Sequence, residues 1–169
     1  GILNVKTGKV LFANAGHNPP LVKHADGTYE YLKTRAGFVL AGMEGVRYRG
    51  NELELAPGDA IYLYTDGVTE ATDLNTELYG EDRLHTVLEK YKDAAPQVIC
   101  DEVKRDVDAF VGEAPQFDDI TMLSLKYNGE GGRIMKELTI AAKVENIEAV
   151  TNFVNEQLEA HDYKMKPQM

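Results

Sequence analysis

Two acidic positions at the ends of apolar stretches are where this sequence could do chemistry. Tyr64-Thr65-Asp66-Gly67 closes the nearly all-apolar stretch from Ala60 to Leu63, and Asp118-Asp119 stands just before another apolar run. A carboxylate at the tip of a buried strand is held by a rigid scaffold yet faces outward. Two such carboxylates from distant parts of a chain can converge on one hard cation. The pattern points to a metal site of which this sequence holds only part.

Taken one at a time, the same residues have plain structural readings. Asp66-Gly67 reads as a tight turn and Asp118-Asp119 as a turn or an exposed acidic pair. His17, between Gly16 and Asn18-Pro19-Pro20, reads as a hydrogen-bonded turn residue, and Glu70 as a group that caps or solvates a loop. Cys100 lies beside the apolar stripe of a helix with nothing near it in sequence to stabilise a thiolate. A calcium loop is the nearest alternative metal motif, because Asp73, Asn75 and Glu77 alternate like its first ligands. It fails downstream, where Leu78 stands in place of the required glycine and Leu84 in place of the bidentate Glu. There is no Walker-type phosphate loop, no Gly-x-Ser-x-Gly elbow and no HExxH helix.

The elements that must position these residues are legible in the first 128 positions. Ile2 to Val5 and Val10 to Ala15 read as strands about a Thr7-Gly8-Lys9 turn, and Gly16-His17-Asn18-Pro19-Pro20 stops the second. Leu21 to His24 and Tyr29 to Leu32 flank Ala25-Asp26-Gly27-Thr28, a hairpin signal, so this stretch reads as an antiparallel meander. Asn51 to Leu55 alternates polar and apolar as a half-buried strand does, and Ala60 to Tyr64 reads as a central strand covered on each side. Leu84, Val87, Leu88 and Tyr91 mark one helix, and Ile99, Val103, Val107, Phe110 and Val111 another that follows Pro96 and ends at Gly112. Ile120 to Leu125 is a further strand. Asn128 to Gly132 is a glycine-rich linker. Beyond it, Glu137 to Ala142 reads as a strand and Ile147, Val150, Val154 and Leu158 as one face of a helix, which together cannot bury themselves.

Bulk properties narrow the function. The 169 residues suit one domain, or one domain and a piece of another, and 43% hydrophobic content supports a core. A formal net charge of −10 argues against a nucleic-acid partner. No apolar run reaches membrane-spanning length, the first residues do not resemble a signal peptide, and the lone Cys100 has no disulfide partner, so a cytoplasmic protein is the simplest reading.

Five blocks in order, Asn14-Ala15-Gly16-His17-Asn18-Pro19-Pro20, Pro57-Gly58-Asp59, Leu63 to Ala71, Tyr79 to Leu84, and Phe117-Asp118-Asp119-Ile120-Thr121-Met122-Leu123, resemble the carboxy-terminal two-thirds of SpoIIE-like bacterial PPM phosphatases, which are metal-dependent serine/threonine protein phosphatases. The resemblance implies an α+β fold that is part of an αββα sandwich, with antiparallel sheets flanked by helices. It implies two Mn²⁺ or Mg²⁺ ions that activate a water against phosphoserine or phosphothreonine, with hard oxygen ligands suited to those ions. Asp66 and Asp118 then match metal ligands, Asp119 a supporting position beside the second, and Gly67 a close backbone approach. The chain departs from the family in lacking a Gly-Asp-Val-Ser-Gly-like segment, whose Asp bridges both ions. Weak or absent metal binding and an inactive fragment are therefore expected.

The tail resembles, less specifically, the start of a histidine-kinase-like ATPase domain of anti-sigma-factor serine kinases, or else is a packing helix appended to the phosphatase. The expected organisation is 1–128 partial phosphatase, 129–132 linker, and 133–169 the opening of a second domain. The expected activity is dephosphorylation of a regulatory protein, an anti-sigma-factor antagonist in partner switching, and the expected state of the fragment is a homo-oligomer. The alternative is a non-enzymatic regulatory or scaffold module with a degenerate metal site.

Overall fold

The computed structural model of the chain describes residues 1–35, 37–40, 42–116 and 118–129. The tail expected beyond Arg133 and linker positions 130–132 lie outside these residues. Among the described residues the order is β1 (Ile2–Leu3), β2 (Lys9–Phe12), β3 (Leu21–Lys23), β4 (Tyr29–Tyr31), β5 (Asn51–Glu54), β6 (Ala60–Tyr64), α1 (Asp66–Thr69), α2 (Gly80–Lys90), α3 (Pro96–Val111) and β7 (Met122–Lys126).

The strands form two antiparallel sheets, β1-β2-β5 and β4-β3-β6-β7. Strand alternation sorts side chains between two cores. Leu21 lies opposite Tyr62 and Val22 opposite Ile61, so the two sets face opposite sides of the larger sheet. Leu21, Tyr62 and Tyr64 pack against Leu84, Leu88, Ile99 and Val103 of the helices. Val22, Ile61 and Leu125 meet Val10, Phe12, Leu53 and Leu55 between the sheets. The architecture is thus α+β, with two sheets and a helical layer, and β6 is central, as its sequence predicts.

Local chemistry explains the boundaries. Pro96 opens α3, where its missing N–H costs nothing, and Gly112 closes it at φ +59°. Gly8, at φ +75°, lies where an added Cβ would stand 2.1 Å from the Leu55 carbonyl oxygen, and the Leu55 N–H donates to the Gly8 carbonyl at 3.0 Å. Only glycine allows that approach.

Three expectations need correction. The first strands are no meander: the Pro19-Pro20 segment carries the chain from β2 in one sheet to β3 in the other, and β5 returns to pair with β2. Strand β2 stops at Phe12 instead of Ala15, because the Asn14 side chain accepts from the His17 N–H and donates to the His17 carbonyl, both at 2.8 Å, closing a turn. Asp66-Gly67 opens a four-residue helix where a tight turn was expected.

The helical core is the main apolar reservoir, since Leu84 and Val103 are fully buried. Leu84→Ala should lower unfolding free energy by about 2–5 kcal/mol, while Leu11→Ala, 46% exposed, should change it by less than about 0.5 kcal/mol. Urea denaturation of both variants checks the difference.

Candidate functional site

The site is built where β6 ends and β7 is about to begin. Thr65, the last residue before α1, uses every polar group it has. Its N–H donates to the Thr121 carbonyl at 3.0 Å, its hydroxyl donates to the Asp119 carbonyl at 2.8 Å, and the same hydroxyl accepts from the Thr121 N–H at 3.0 Å. Because its hydroxyl is turned to the other strand, Thr65 makes no side-chain cap for α1.

Gly67 completes the join. It is buried, and a Cβ built there would lie 2.5 Å from the Asp119 carbonyl oxygen and 3.4 Å from the Asp118 carbonyl carbon. The backbone after Asp66 therefore rests directly on the Asp119 carbonyl, with the Asp118 carbonyl carbon next to it, and the backbones of the two acidic positions picked out from sequence are brought side by side. Asp66, Asp118 and Asp119 are all exposed.

Each of the two carboxylates is half pinned. Asp66 Oδ1 accepts from the Gly67 N–H at 3.0 Å, and Asp118 Oδ1 from the Asp119 N–H at 2.6 Å. Among the described residues the second oxygen of each accepts no hydrogen bond. Gln116 steadies this loop by donating its side-chain N–H to the Asp118 carbonyl at 2.8 Å. Beside it lies a small cleft of about 30 Å³, room for one or two waters, lined by Gly67, Glu70, Thr72, Asp108, Gln116 and Asp118 among others.

The donor chemistry suits a hard cation such as Mn²⁺ or Mg²⁺, which takes carboxylate oxygen. The donor number suits less than a pair of ions: among the described residues no three His, Cys, Asp or Glu side chains form a group able to hold a metal.

The other candidates have structural employment. His17 takes part in the Asn14 turn, and its Nδ1 lies 3.1 Å from the Asn18 carbonyl oxygen. Asp73 accepts from the N–H groups of Asn75 and Glu77 at 2.8 and 2.9 Å, so it organises its own loop. Burial pushes the Cys100 thiol up, which keeps it protonated and unreactive. Sequence reading passed over Thr65 and Gln116; Thr65 stood inside the Tyr64-Thr65-Asp66-Gly67 motif, but its bonding to Asp119 and Thr121 requires β7 to be its neighbour.

The two-sheet sandwich with helices on one face is the architecture of PP2C-type phosphatase domains, to which the comparisons with known proteins point. The chain is similar to the SiaA-PP2C domain of Pseudomonas aeruginosa, with TM-score 0.55 and 28% identity over 71% of this chain and 46% of that one. It is also similar to the RsbU and RsbW domains of Rv1364c from Mycobacterium tuberculosis, with TM-score 0.58 and 21% identity over 94% of this chain and 43% of that one. Residues 1–128 match Stage II sporulation protein E (SpoIIE), and the chain belongs to that phosphatase family. It is 30% identical over 128 residues to Protein IcfG of Synechocystis sp., a match covering 76% of this chain and 20% of that protein. The chain thus spans about a fifth of that curated relative and under half of either structure.

The Thr65 clamp makes a direct prediction. Thr65→Val keeps the shape but strands the Thr121 N–H, and should cost about 1–3 kcal/mol, whereas Thr65→Ser should retain most of the stability. Thermal melts of the two variants decide between them.

Proposed function

We propose that the protein of which this chain is part hydrolyses phosphoserine or phosphothreonine on a regulatory protein, with Asp66 and Asp118 as metal ligands. The observation that carries this reading is the contact of Gly67 with the Asp119 carbonyl, which sets the two acidic loops side by side. Asp66 and Asp118 would hold Mn²⁺ or Mg²⁺ through the oxygens left free of hydrogen bonds. Gly67 permits the approach, and Asp119 supports it by fixing Asp118 with its N–H. When bound, such ions supply Lewis-acid stabilisation of charge on a phosphoryl group and lower the pKa of water.

The substrate in this reading is a phosphorylated anti-sigma-factor antagonist in a cytoplasmic partner-switching circuit, and positions 133–169 open a histidine-kinase-like ATPase domain. The likeness to a structure that joins RsbU and RsbW domains supports both statements. Among the described residues no helix is long and apolar enough to cross a membrane. A second reading, a regulatory module without catalysis, draws on the lack of a three-donor metal group among the described residues.

In the full protein, Asp66→Asn and Asp118→Asn should each cut manganese-dependent hydrolysis of a phosphoserine peptide by about 10–100-fold or more, with an unchanged circular dichroism spectrum. Full activity in both variants would overturn Asp66 and Asp118 as metal ligands, whereas no manganese-dependent hydrolysis by the full protein would leave the regulatory module as the better reading. The isolated chain should turn over negligibly with manganese present. It should also self-associate through the exposed Ile2 and Leu11 of the smaller sheet, and a monomer by light scattering at micromolar concentration would refute that association.

A further inference from the structure

The segment between β4 and β5 has a composition unlike the rest of the chain. Residues 33–49 hold Lys33, Arg35, Arg47 and Arg49 against a single carboxylate, Glu44, in a protein of net charge −10. All four cations are exposed, and among the described residues none is ion-paired. Between the two pairs of cations stand Phe38, Val39, Leu40 and Met43, which are 49%, 56%, 70% and 60% exposed. Scattered apolar exposure is ordinary, but four large apolar side chains exposed within six positions and flanked by unpaired cations mark an interaction surface.

Topology puts this loop at the end of the sandwich that bears Asp66 and Asp118. Leu21 at the start of β3 lies opposite Tyr62, two residues from the end of β6, and opposite Tyr31 at the end of β4. Strand β5 starts at Asn51, opposite Phe12 where β2 finishes. The loop is also held in place. The Gly37 N–H donates to the Asn14 carbonyl at 2.8 Å, the Tyr48 hydroxyl donates to the Val39 carbonyl at 3.3 Å, and a Cβ on Gly16 would lie 3.3 Å from Val39 Cα. Its backbone is tied at Gly37 and Val39, while its described apolar and cationic side chains are exposed.

A chain of charge −10 repels a phosphoprotein, whose phosphate alone adds about −1.5 to −2 charges near neutral pH. A local cationic rim at the same end of the sandwich as the site reverses that repulsion where it matters and steers encounter. A nucleic acid or an anionic membrane carries its charge far beyond the reach of four cations and so meets the rest of a −10 chain, whereas a phosphoprotein can present its acidic residues to the rim alone. We propose that this loop is the docking surface for the phosphoprotein substrate. Arg35, Arg47 and Arg49 draw acidic residues flanking the phosphorylated side chain, and Phe38, Val39, Leu40 and Met43 take an apolar face of the same partner. The identity of the partner rests on the phosphatase reading above.

The test uses the full protein with manganese, a fluorescein-labelled phosphoserine peptide flanked by Glu and Leu, its Lys-flanked counterpart, and p-nitrophenyl phosphate. The variants are R35E/R47E/R49E and F38S/L40S. The expected result is about tenfold weaker binding of the Glu/Leu peptide by anisotropy in each variant, a matching rise in KM, and unchanged turnover of p-nitrophenyl phosphate. The wild type should prefer the Glu/Leu peptide to its Lys counterpart by a similar factor, and lose that preference in high salt. No binding by the wild type, equal binding of the two peptides, or variants that bind as the wild type does would each overturn the docking role. A fall in oligomer mass in F38S/L40S with peptide binding intact would also overturn it, by assigning the loop to a second copy. Absence of p-nitrophenyl phosphate hydrolysis by the wild type would count against the phosphatase reading alone, since the anisotropy comparison still decides the loop.

Discussion

Everything at the candidate site depends on one join, the locking of the Thr65–Gly67 segment onto the Asp118–Thr121 segment. Three hydrogen bonds from one threonine and the bare backbone of one glycine hold the end of β6 against the approach to β7. The two carboxylates are positioned by main chain, and main chain anchored to a central strand moves far less than a long side chain does. The metal site proposed for Asp66 and Asp118 would need that rigidity to present oxygen atoms at fixed spacing. A side chain of any size at position 67 would separate the two loops.

The join is in turn only as firm as β6. That strand pairs with β3 on one side and β7 on the other, and its tyrosines are driven into the helical layer. Tyr62 and Tyr64 stack at 6.2 Å between ring centroids, and on the other side of the layer the buried Tyr79 ring meets Phe110 edge-on while its hydroxyl donates to Asp106 at 2.7 Å. Arg83 sits over the Phe110 ring, 4.5 Å from its centroid, and donates to the carbonyls of Leu78 and Tyr79. This ties the loop after α1 to both long helices. The Tyr79-Gly80-Glu81-Asp82-Arg83-Leu84 block therefore serves the site from behind, by holding the layer against which β6 is pressed.

What could be read from sequence follows from which interactions are local. Helices α2 and α3 repeat their apolar residues every third or fourth position, and the Asp26-Gly27 hairpin closes on itself, with the Thr28 N–H donating to Asp26. Those elements were legible because their causes lie within a few residues. The assignment of strands to two sheets was not, because pairing β2 with β5 and β3 with β6 depends on contacts across the chain. The same limit applied at the site. Asp66 and Asp118 stood out through residue type and through resemblance to a family, whereas the role of Thr65 depends wholly on a partner that sequence order places far away. Gly67 is the intermediate case, since a glycine after an acid suggests a turn, and only the Asp119 carbonyl beneath it explains why no other residue fits there.

The turn formed by Asn14, Gly16 and His17 illustrates how a motif can matter to a site without doing chemistry. A histidine within a conspicuous Gly-His-Asn-Pro-Pro block invites the role of acid or base. Its own N–H and carbonyl are bound to the Asn14 side chain, and the backbone carbonyl of Asn14 accepts from Gly37 in the β4–β5 loop. Gly16, at φ +87°, leaves room for Val39 to lie against it. One short turn thus ends β2, sends the chain across to β3 and supports the loop that carries the exposed cations and apolar side chains. Selection for that loop's position would preserve the whole block, and the histidine with it, even though no proton need ever move through its ring.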